Sequence, residues 1–500
     1  MRSAITTEIC VVGGGPAGSA IARKLALLGH QVCLVEKMTF PRAHIGESLP
    51  PSILPVLDLF DLRHRIEAAG FYRPSSAIVH WSSHVPVEKS YSQEAGFQVD
   101  RGRFDQLLLE AAQAAGVVCL QPATAGRPIS QGQQQWSMPV RSQGKVTTIQ
   151  ARFIVNATGK HSAFCRRPQH HTVTTLALYG YWRNTPFQAG ESYVEAGAEA
   201  WFWGASLPDG TFNAAVFFDA QRDARVRSGD RDRGYRSRLA QTTFLKGCLE
   251  GVLTAPPRVC DASFFLADDF IGQDWIKVGD AAFAIDPLSA QGVQMAMMSA
   301  FQGAIAVHTL LTQPEKTNAA LSFYRHKLHE TVTRAKITAA QFYAIQDIYP
   351  QNAFWHARSR VPVIDPPATW ATNSRLFELS DPLRLSPAAT LTETPVIQGD
   401  SIQLIPALHH PSLDTSVGYL GNIAIAPLLQ GITPGQTVVD LMQRWKRHHD
   451  LALCWQLFQW CWEQNILVLA APLGNPLNGY ETHRHTHNHP LNCSRHEIQC

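Results

Sequence analysis

The N-terminal residues alternate apolar runs with an amphipathic segment, in the order strand, helix, strand. Residues 9–12 are continuously apolar, as in a buried strand, and residues 31–35 form a second, β-rich run. Between them, residues 19–28 place apolar side chains at helical spacing, as on one face of a helix. The pattern predicts the opening of a Rossmann-type α/β domain.

A glycine-rich turn joins the first predicted strand to the helix. Its sequence is G-x-G-x-x-G, and an acidic residue follows the second strand. In a dinucleotide site, the first glycine allows the turn, the second lets the backbone approach a pyrophosphate, and the third lets the helix pack on the strand. The acidic residue accepts hydrogen bonds from a ribose, and the helix N-terminus attracts the pyrophosphate. The predicted contacts are Gly13, Gly15, Pro16, Ala17, Gly18, Glu36 and Lys37.

Farther along the chain the period of the pattern changes twice. Residues 172–220 alternate in short strand-like runs, and a Pro-Asp-Gly turn at 208–210 predicts a hairpin. Residues 301–350 return to helical spacing, and residues 399–473 read as short strands and two helices. We expect an antiparallel sheet inserted into the Rossmann domain and a C-terminal α+β module of the winged-helix type.

Composition and charge exclude several classes of function. The 500 residues carry a net charge of +3 without a long run of one sign, so nucleic acid is not expected as a partner. No run of eighteen apolar residues occurs, and the ten cysteines include no C-x-x-C pair. An alternating histidine tract at 483–489 has no predicted element around it, so we assign no metal. The sequence predicts a soluble, cytoplasmic protein with reduced thiols and no membrane partner.

The loop after the second strand carries the first resemblance to a known family. Residues 40–50 read Phe-Pro-Arg-Ala-His-Ile-Gly-Glu-Ser-Leu-Pro, which resembles the corresponding loop of flavin-dependent halogenases and related FAD monooxygenases. Residues 100–105 resemble a D-R-x-x-F-D segment whose arginine reaches the flavin region, and residues 157–159 resemble the A-T-G turn that closes the FAD domain. The resemblance implies cofactor contacts from Arg42, Ser48, Arg101, Ala157 and Gly159, and it makes His44 and Glu47 candidates for catalysis.

A third segment selects FAD over NAD. A predicted strand runs into Gly-Asp-Ala-Ala at 279–282, where the aspartate can hold a ribityl hydroxyl. Residues 286–292 then lead into a helix whose N-terminal N–H groups can face the flavin pyrimidine and stabilise the anion of the reduced flavin. The predicted contacts are Gly279, Asp280, Pro287, Gln291, Gly292 and Val293.

Two departures from the halogenase pattern bear on the reaction. Trp201 and Trp203 partly match a W-x-W-x-I-P motif that walls the flavin from the substrate, although two tryptophans on one strand face are also good core residues. The halogenases carry a lysine that holds or steers hypohalous acid, and the matching position here is Pro74, which has no amine. The adjacent Arg73 is always cationic and a poor nucleophile, and the next lysine, Lys89, lies beyond a predicted strand.

The expected architecture is α/β, with a Rossmann-type FAD-binding domain, an inserted antiparallel β-sheet substrate domain and a winged-helix-like C-terminal module. We expect a discontinuous FAD domain at residues 1–170 and 260–345, with the substrate domain at residues 171–259. A helical and loop connector is expected at residues 346–398, the C-terminal module at 399–473 and a disordered His-rich tail at 474–500.

The resemblance implies an FAD-dependent monooxygenase that reacts through a C4a-hydroperoxyflavin formed from reduced FAD and O₂. Because Pro74 replaces the halogenase lysine, we expect hydroxylation of an electron-rich aromatic substrate. The chain is similar to the flavoproteins of tryptophylquinone cofactor biogenesis, which hydroxylate a peptide-bound tryptophan. The expected partners are O₂ and an aromatic small molecule or precursor peptide. Electrons are expected either from a separate flavin reductase or from transient contact with a nicotinamide.

Three alternatives stay open at this point. A flavin-dependent halogenase with a displaced lysine would give a halide-dependent product. An FAD-dependent isoprenoid reductase would turn over without O₂. A non-enzymatic flavin-bearing protein that binds a peptide would form a stoichiometric complex without consuming oxygen.

Overall fold

The computed structural model describes residues 4–91, 95–132, 134–160, 173–219, 230–360, 377–413, 415–421 and 423–470. The chain divides into two compact units, Met1–Pro362 with Gly399–Ile402, and Val363–Gln398 with Gln403–Cys500. The predicted His-rich tail lies outside the described residues. The finer five-part division stays a prediction.

The first unit combines two large sheets with helices. Its strands are β1 Ala4–Val12, β2 Val32–Val35, β3 Ser48–Leu49, β4 Ser76–His80, β5 Val87–Ser90, β6 Phe97–Gln98, β7 Val118–Leu120, β8 Thr124–Ala125, β9 Ile129–Gly132, β10 Gln135–Ser142, β11 Lys145–Asn156, β12 Thr175–Arg183, β13 Glu191–Ala196, β14 Ala200–Ser206, β15 Phe212–Asp219, β16 Val252–Leu253, β17 Arg258–Asp261, β18 Phe265–Leu266, β19 Trp275–Lys277 and β20 Phe283–Ala284. Its helices are α1 Pro16–Leu27, α2 Ile53–Leu59, α3 Arg63–Glu67, α4 Arg101–Ala114, α5 Arg231–Leu239, α6 Gly292–Thr312, α7 Thr317–Ala344 and α8 Ala353–Ser359.

The first sheet has the strand order β7-β2-β1-β11-β10-β8, with β19 added beside β11 and β9 beside β10. β1 lies between β2 and β11 and runs parallel to both, so that Val11 pairs with Leu34 on one side and Val155 on the other. A central strand is covered on both faces, and for that reason residues 9–12 are continuously apolar. The predicted α/β fold with an N-terminal strand, helix and strand is confirmed.

The second sheet has the strand order β16-β12-β15-β14-β13-β4-β5, with β17 beside β12. Its strands pair antiparallel except at β13 and β4, which are parallel, so the sheet is mixed. One face packs against α5, where the Trp182 indole N–H donates to the Tyr235 hydroxyl at 3.0 Å. β4 and β5 come from outside the stretch predicted as the substrate domain. Their pairing is a long-range contact that the local period does not reveal.

α6 is the core helix of this unit and packs against α1 and α7. Among the described residues it is the one helix with the length and hydropathy of a membrane span, and 61% of the window that qualifies is buried inside the protein. A helix covered on several sides becomes apolar all round, which accounts for its composition.

The second unit has its own core of aromatic and aliphatic side chains around Trp445, Phe458 and Trp462. Its elements are β21 Pro382–Leu385, β22 Thr390–Gln398, β23 Ser401–His409, β24 Tyr419–Leu420, β25 Ile423–Ala424, α9 Ile425–Leu429, β26 Gln436–Thr437, α10 Val438–Trp445, α11 Leu451–Glu463 and β27 Leu467–Leu469. β26, β21 and β27 form one sheet, while β22 with β23 and β24 with β25 form two-stranded pairs. The Arg444 guanidinium donates to the carbonyl oxygens of Leu428, Gln430 and Gly431, which gives this basic residue a structural role.

Candidate active site

The glycine turn brings β1, α1 and the end of β11 into close contact. Gly13 has a φ of +105°, which favours glycine, and its N–H donates to the carbonyl of Val35 at 2.9 Å. A Cβ on Gly13 would lie 2.3 Å from the carbonyl oxygen of Ala157. A Cβ on Gly18 would lie 1.8 Å from the carbonyl oxygen of Gly13. Both glycines are therefore required by the packing, as the dinucleotide motif predicts.

The N-terminus of α1 is suited to a pyrophosphate. Gly15 precedes the helix and supplies no side-chain cap, so the first N–H groups of α1 are not covered by a capping side chain. A Cβ added to Gly15 would meet a single neighbour within 4 Å, the Arg42 guanidinium at 3.4 Å. Arg42 itself is held by Asp105 at 3.3 Å. A cation and a helix dipole therefore converge on the open side of the turn.

Glu36 is oriented by two backbone amides. Its Oε2 accepts from the N–H of Gly14 at 2.6 Å, and its Oε1 accepts from the N–H of Met38 at 2.7 Å. Each carboxylate oxygen keeps a lone pair for a further donor, as a ribose hydroxyl requires. The neighbouring Lys37 is exposed.

The loop at residues 40–50 is fixed from α4. The Arg101 guanidinium donates to both carboxylate oxygens of Asp105, at 3.0 and 3.2 Å, and to the carbonyl oxygens of Ile45 and Gly46, at 2.9 and 3.2 Å. Arg101 thus lies beside the loop that the family resemblance assigns to the flavin, with its donors used in holding that loop. Ser48 lies on the short strand β3, paired with Gln98.

Glu47 joins the same loop to the second sheet. Its carboxylate accepts from the N–H of Gly46 at 2.8 Å, from the Tyr181 hydroxyl on β12 at 2.7 Å and from the Asn213 amide on β15 at 3.2 Å. Glu47 is only 2% exposed, and burial raises the pKa of its carboxyl. The sequence analysis missed Tyr181 and Asn213. The one local signal was a polar asparagine inside the apolar run of β15.

His44 lies on the same loop, at a position exposed to solvent. Its Nδ1 is 2.7 Å from the carbonyl oxygen of Ile45, and because a carbonyl only accepts, Nδ1 carries the proton and Nε2 is left for another partner. Burial and then the Arg101 charge lower the pKa of His44 to about 4, although part of the residue is solvent-accessible.

We expect the His44 imidazole to stay neutral throughout the range from about pH 5.5 to pH 8, because its lowered pKa leaves it unprotonated there. Nitrogen-15 NMR of histidine-labelled protein would follow its two ring nitrogens, with His44→Gln used to assign the signals. A His44 midpoint near pH 6.5 would contradict the environment described above.

The predicted flavin segment at residues 279–293 contacts the glycine turn and α1 through small residues. Gly279 has a φ of +58°, and a Cβ there would lie 2.7 Å from the Cβ of Ala17 in α1. Asp280 follows it and is solvent-accessible, yet burial raises the pKa of its carboxyl, while the charges of Lys160 and Arg101 oppose that rise. A side chain both accessible and desolvated lies in a recess, which suits a carboxylate that binds a ribityl hydroxyl.

The N-terminus of α6 is open in the same way as that of α1. Gln291 supplies no side-chain cap, and a Cβ on Gly292 would meet nothing within 4 Å. The preceding turn is fixed by Asp286, whose carboxylate accepts from the N–H of Leu288 at 3.0 Å and from the Tyr343 hydroxyl at 3.1 Å. The turn residue Pro287 and the helix residue Val293 flank this open end. These residues fit FAD, whose reduced ring carries negative charge toward such an N-terminus.

The face of the second sheet opposite α5 is aromatic. Trp201 is 2% exposed and its ring stacks on Phe217 with centroids 3.8 Å apart, whereas Trp203 is half-buried. Trp81 and Trp355 pack into the same cluster, with ring centroids 5.1 Å apart. Trp201 is thus a core side chain and Trp203 keeps accessible surface. The catalytic role of either tryptophan stays a prediction.

Neither of the basic residues that flank Pro74 in sequence takes the place of the expected halogenase lysine. Arg73 pairs with Glu67 at 2.7 Å and lies over the Phe97 ring at 4.2 Å. Lys89 lies on the exposed edge strand β5. Lys160, which the sequence analysis missed although it follows the A-T-G turn, donates from Nζ to the backbone carbonyls of Asp261 and Ser263.

Comparison with known proteins identifies the family of the chain. A family model described as an FAD binding domain matches residues 6–336. A tryptophan 2-halogenase of Chondromyces crocatus is 30% identical over 376 residues, which cover 72% of this chain and 72% of the halogenase.

Two solved structures share the fold. The flavin-dependent halogenase CmlS superposes with a TM-score of 0.75 at 20% identity, covering 94% of this chain and 97% of that chain. The peptidyl tryptophan dihydroxylase QhpG, essential for tryptophylquinone cofactor biogenesis, gives a TM-score of 0.71 at 24% identity, with 92% and 99% covered. The chain belongs to the FAD-binding-domain family, among the halogenase-like FAD monooxygenases, and is an FAD-dependent oxidoreductase.

Proposed function

We propose that this enzyme is a monooxygenase that hydroxylates an electron-rich aromatic substrate, with a tryptophan in a peptide as the favoured form. The observation that carries the proposal is the proline at position 74. Arg73 is held by Glu67, and Lys89 lies on an exposed edge strand, so neither supplies the amine that a halogenase needs. The similarity to a peptidyl tryptophan dihydroxylase over 92% of the chain supports the peptide substrate.

When bound, FAD would supply the redox chemistry by reducing O₂ and delivering one of its oxygen atoms. The protein would bind and orient the cofactor. Arg42 and the N-terminus of α1 would hold the pyrophosphate, Glu36 the ribose and Asp280 the ribityl chain. The N-terminus of α6 would stabilise negative charge on the flavin pyrimidine.

The aromatic face of the second sheet would exclude water from the substrate. Trp203 keeps accessible surface there, and the buried cluster behind it gives a rigid apolar wall. In this proposal the sheet serves as the inserted substrate domain, and the C-terminal unit serves as a winged-helix-like module that docks the peptide.

Electrons would come from a separate flavin reductase, because a single G-x-G-x-x-G unit occurs at the N-terminus and no second one for a nicotinamide is visible. The cysteines that the structure describes are free thiols, which supports the predicted cytoplasmic location. A halogenase with a displaced lysine is the second candidate, favoured by the 30% identity to a tryptophan 2-halogenase.

We expect the FAD-loaded enzyme, supplied with a flavin reductase, NADH and air, to add the mass of one or two oxygen atoms to its substrate. Mass spectrometry of free tryptophan, small phenols and tryptophan-containing peptides would identify the acceptor. Each reaction is run with and without bromide. A product that appears only with bromide and carries the bromine isotope doublet would overturn the proposal in favour of the halogenase. A reaction that proceeds equally without O₂ would contradict both.

A further inference from the structure

The carboxylate of Glu47 has no direct route to a substrate. It is 2% exposed and is surrounded by the backbone N–H of Gly46, the amide of Asn213 and the hydroxyl of Tyr181. These three hydrogen bonds are therefore the routes to consider for a proton that reaches the Glu47 carboxylate.

The three partners differ in their ability to move a proton. A backbone N–H and a side-chain amide hold their protons throughout the accessible pH range, whereas a phenol hydroxyl can release one proton while accepting another. Asn213 is also fully buried, while Tyr181 is half-buried. Tyr181 lies on β12 and packs against the same aromatic cluster as Trp203 and Ile45. Of these three partners, only Tyr181 both exchanges its proton readily and packs against the aromatic face.

We propose that Tyr181 is the proton-transfer residue of the site and passes a proton from the aromatic substrate to Glu47. The inference rests on the proposed hydroxylation. After oxygen transfer, the ring carbon that received the oxygen still carries a hydrogen. Its C–H bond breaks, the electron pair returns to the ring and restores aromaticity, and the proton moves to Tyr181 Oη. The original Tyr181 proton moves at the same time to Glu47 Oε1, 2.7 Å away.

The charges around the pair permit this transfer. Burial raises the pKa of Glu47, so the carboxylate can hold the proton it receives. Burial and the adjacent Glu47 raise the pKa of Tyr181, so its hydroxyl remains protonated between turnovers. The other titratable or charged groups that influence the pair are Arg101 on α4, Tyr179 on β12, and Arg258 and Cys260 on β17.

The test follows the Glu47 proton directly in FAD-loaded enzyme. The pH is lowered until infrared spectroscopy shows the carbonyl band of protonated Glu47, assigned by its loss in Glu47→Gln. At that pH, the shift of the band after transfer into D₂O gives the exchange rate. Tyr181→Phe is expected to slow this exchange at least tenfold while the Glu47 band remains. Tyr193→Phe is the matched control, because Tyr193 donates to Glu191 at 2.5 Å on β13, outside this cluster, and should leave the rate unchanged.

Exchange as fast in Tyr181→Phe as in the unmodified enzyme would overturn the inference. If Tyr181→Phe does not fold, 3-fluorotyrosine is incorporated into the unmodified sequence, which makes the phenol more acidic. The exchange of the Glu47 proton should then accelerate several-fold. An unchanged exchange rate would overturn the inference. No substrate turns over in this measurement. It therefore judges the proton route separately from the proposed function, which fails if the unmodified enzyme adds no oxygen to any substrate.

Discussion

Replacement of Gly18 by alanine is expected to yield a protein that purifies without FAD. The added Cβ would lie 1.8 Å from the carbonyl oxygen of Gly13 and 3.1 Å from the Cβ of Ala157. Relief requires α1 to move away from β1, which displaces the helix N-terminus that meets the pyrophosphate. Overpacking of this kind costs about 2–3 kcal/mol, or roughly a 30- to 150-fold loss of FAD affinity.

Flavin fluorescence titration of the apoprotein would measure this affinity. Gly234→Ala is the matched control, because Gly234 also lies in a helix, α5, and its Cβ would meet only the flexible end of Arg238 at 3.3 Å. That variant should bind FAD like the unmodified protein. Unchanged affinity in Gly18→Ala would show that the glycine turn is not the cofactor site.

Much of the geometry of the candidate cofactor site could be predicted because its contacts are local in sequence. The Gly13 and Gly18 contact spans one turn and the start of one helix, so the spacing of the motif fixes it. Glu36 is predictable for a similar reason. It follows the strand that pairs beside β1, and the parallel register carries it back to the N–H of Gly14.

The connection between the loop at residues 40–50 and the second sheet could not be predicted because it is non-local. Tyr181 reaches Glu47 only because β12 lies within the second sheet beside the loop, and no period in either segment specifies that pairing. The parallel pairing of β4 with β13, which sets Val79 beside Val194, is hidden for the same reason.

The two tryptophans show a further limit of pattern analysis. Alternation correctly predicts that Trp201 and Trp203 share one face of a strand. Alternation does not show how far the side chains that cover this face extend along the strand. The stacking partner Phe217 and the edge contact with Trp81 bury Trp201, and both come from other strands or loops. The difference between the buried Trp201 and the half-buried Trp203 therefore becomes apparent only in the folded structure.

Truncation of Glu47 to alanine is expected to destabilise the first unit by about 2–4 kcal/mol at about pH 4, since the Tyr181 hydroxyl and the Asn213 amide would lose their acceptor. The pKa of Glu47 is raised in the folded protein, so its stabilising contribution is fully present below its unfolded pKa and is lost as the pH rises through the folded value. The difference from the unmodified protein should therefore shrink toward about pH 8.

Urea unfolding followed by tryptophan fluorescence at both pH values would measure the two differences. Glu191→Ala is the control, because it removes the acceptor of a second tyrosine and glutamate pair whose carboxylate is only half-buried; a loss of about 1 kcal/mol or less is expected there. A Glu47→Ala loss as small as the control, or one that grows with pH, would mean that the folded environment does not raise the pKa of Glu47. Glu47 would then hold a transferred proton poorly, and the proton acceptor assigned to Tyr181 would have to be another group.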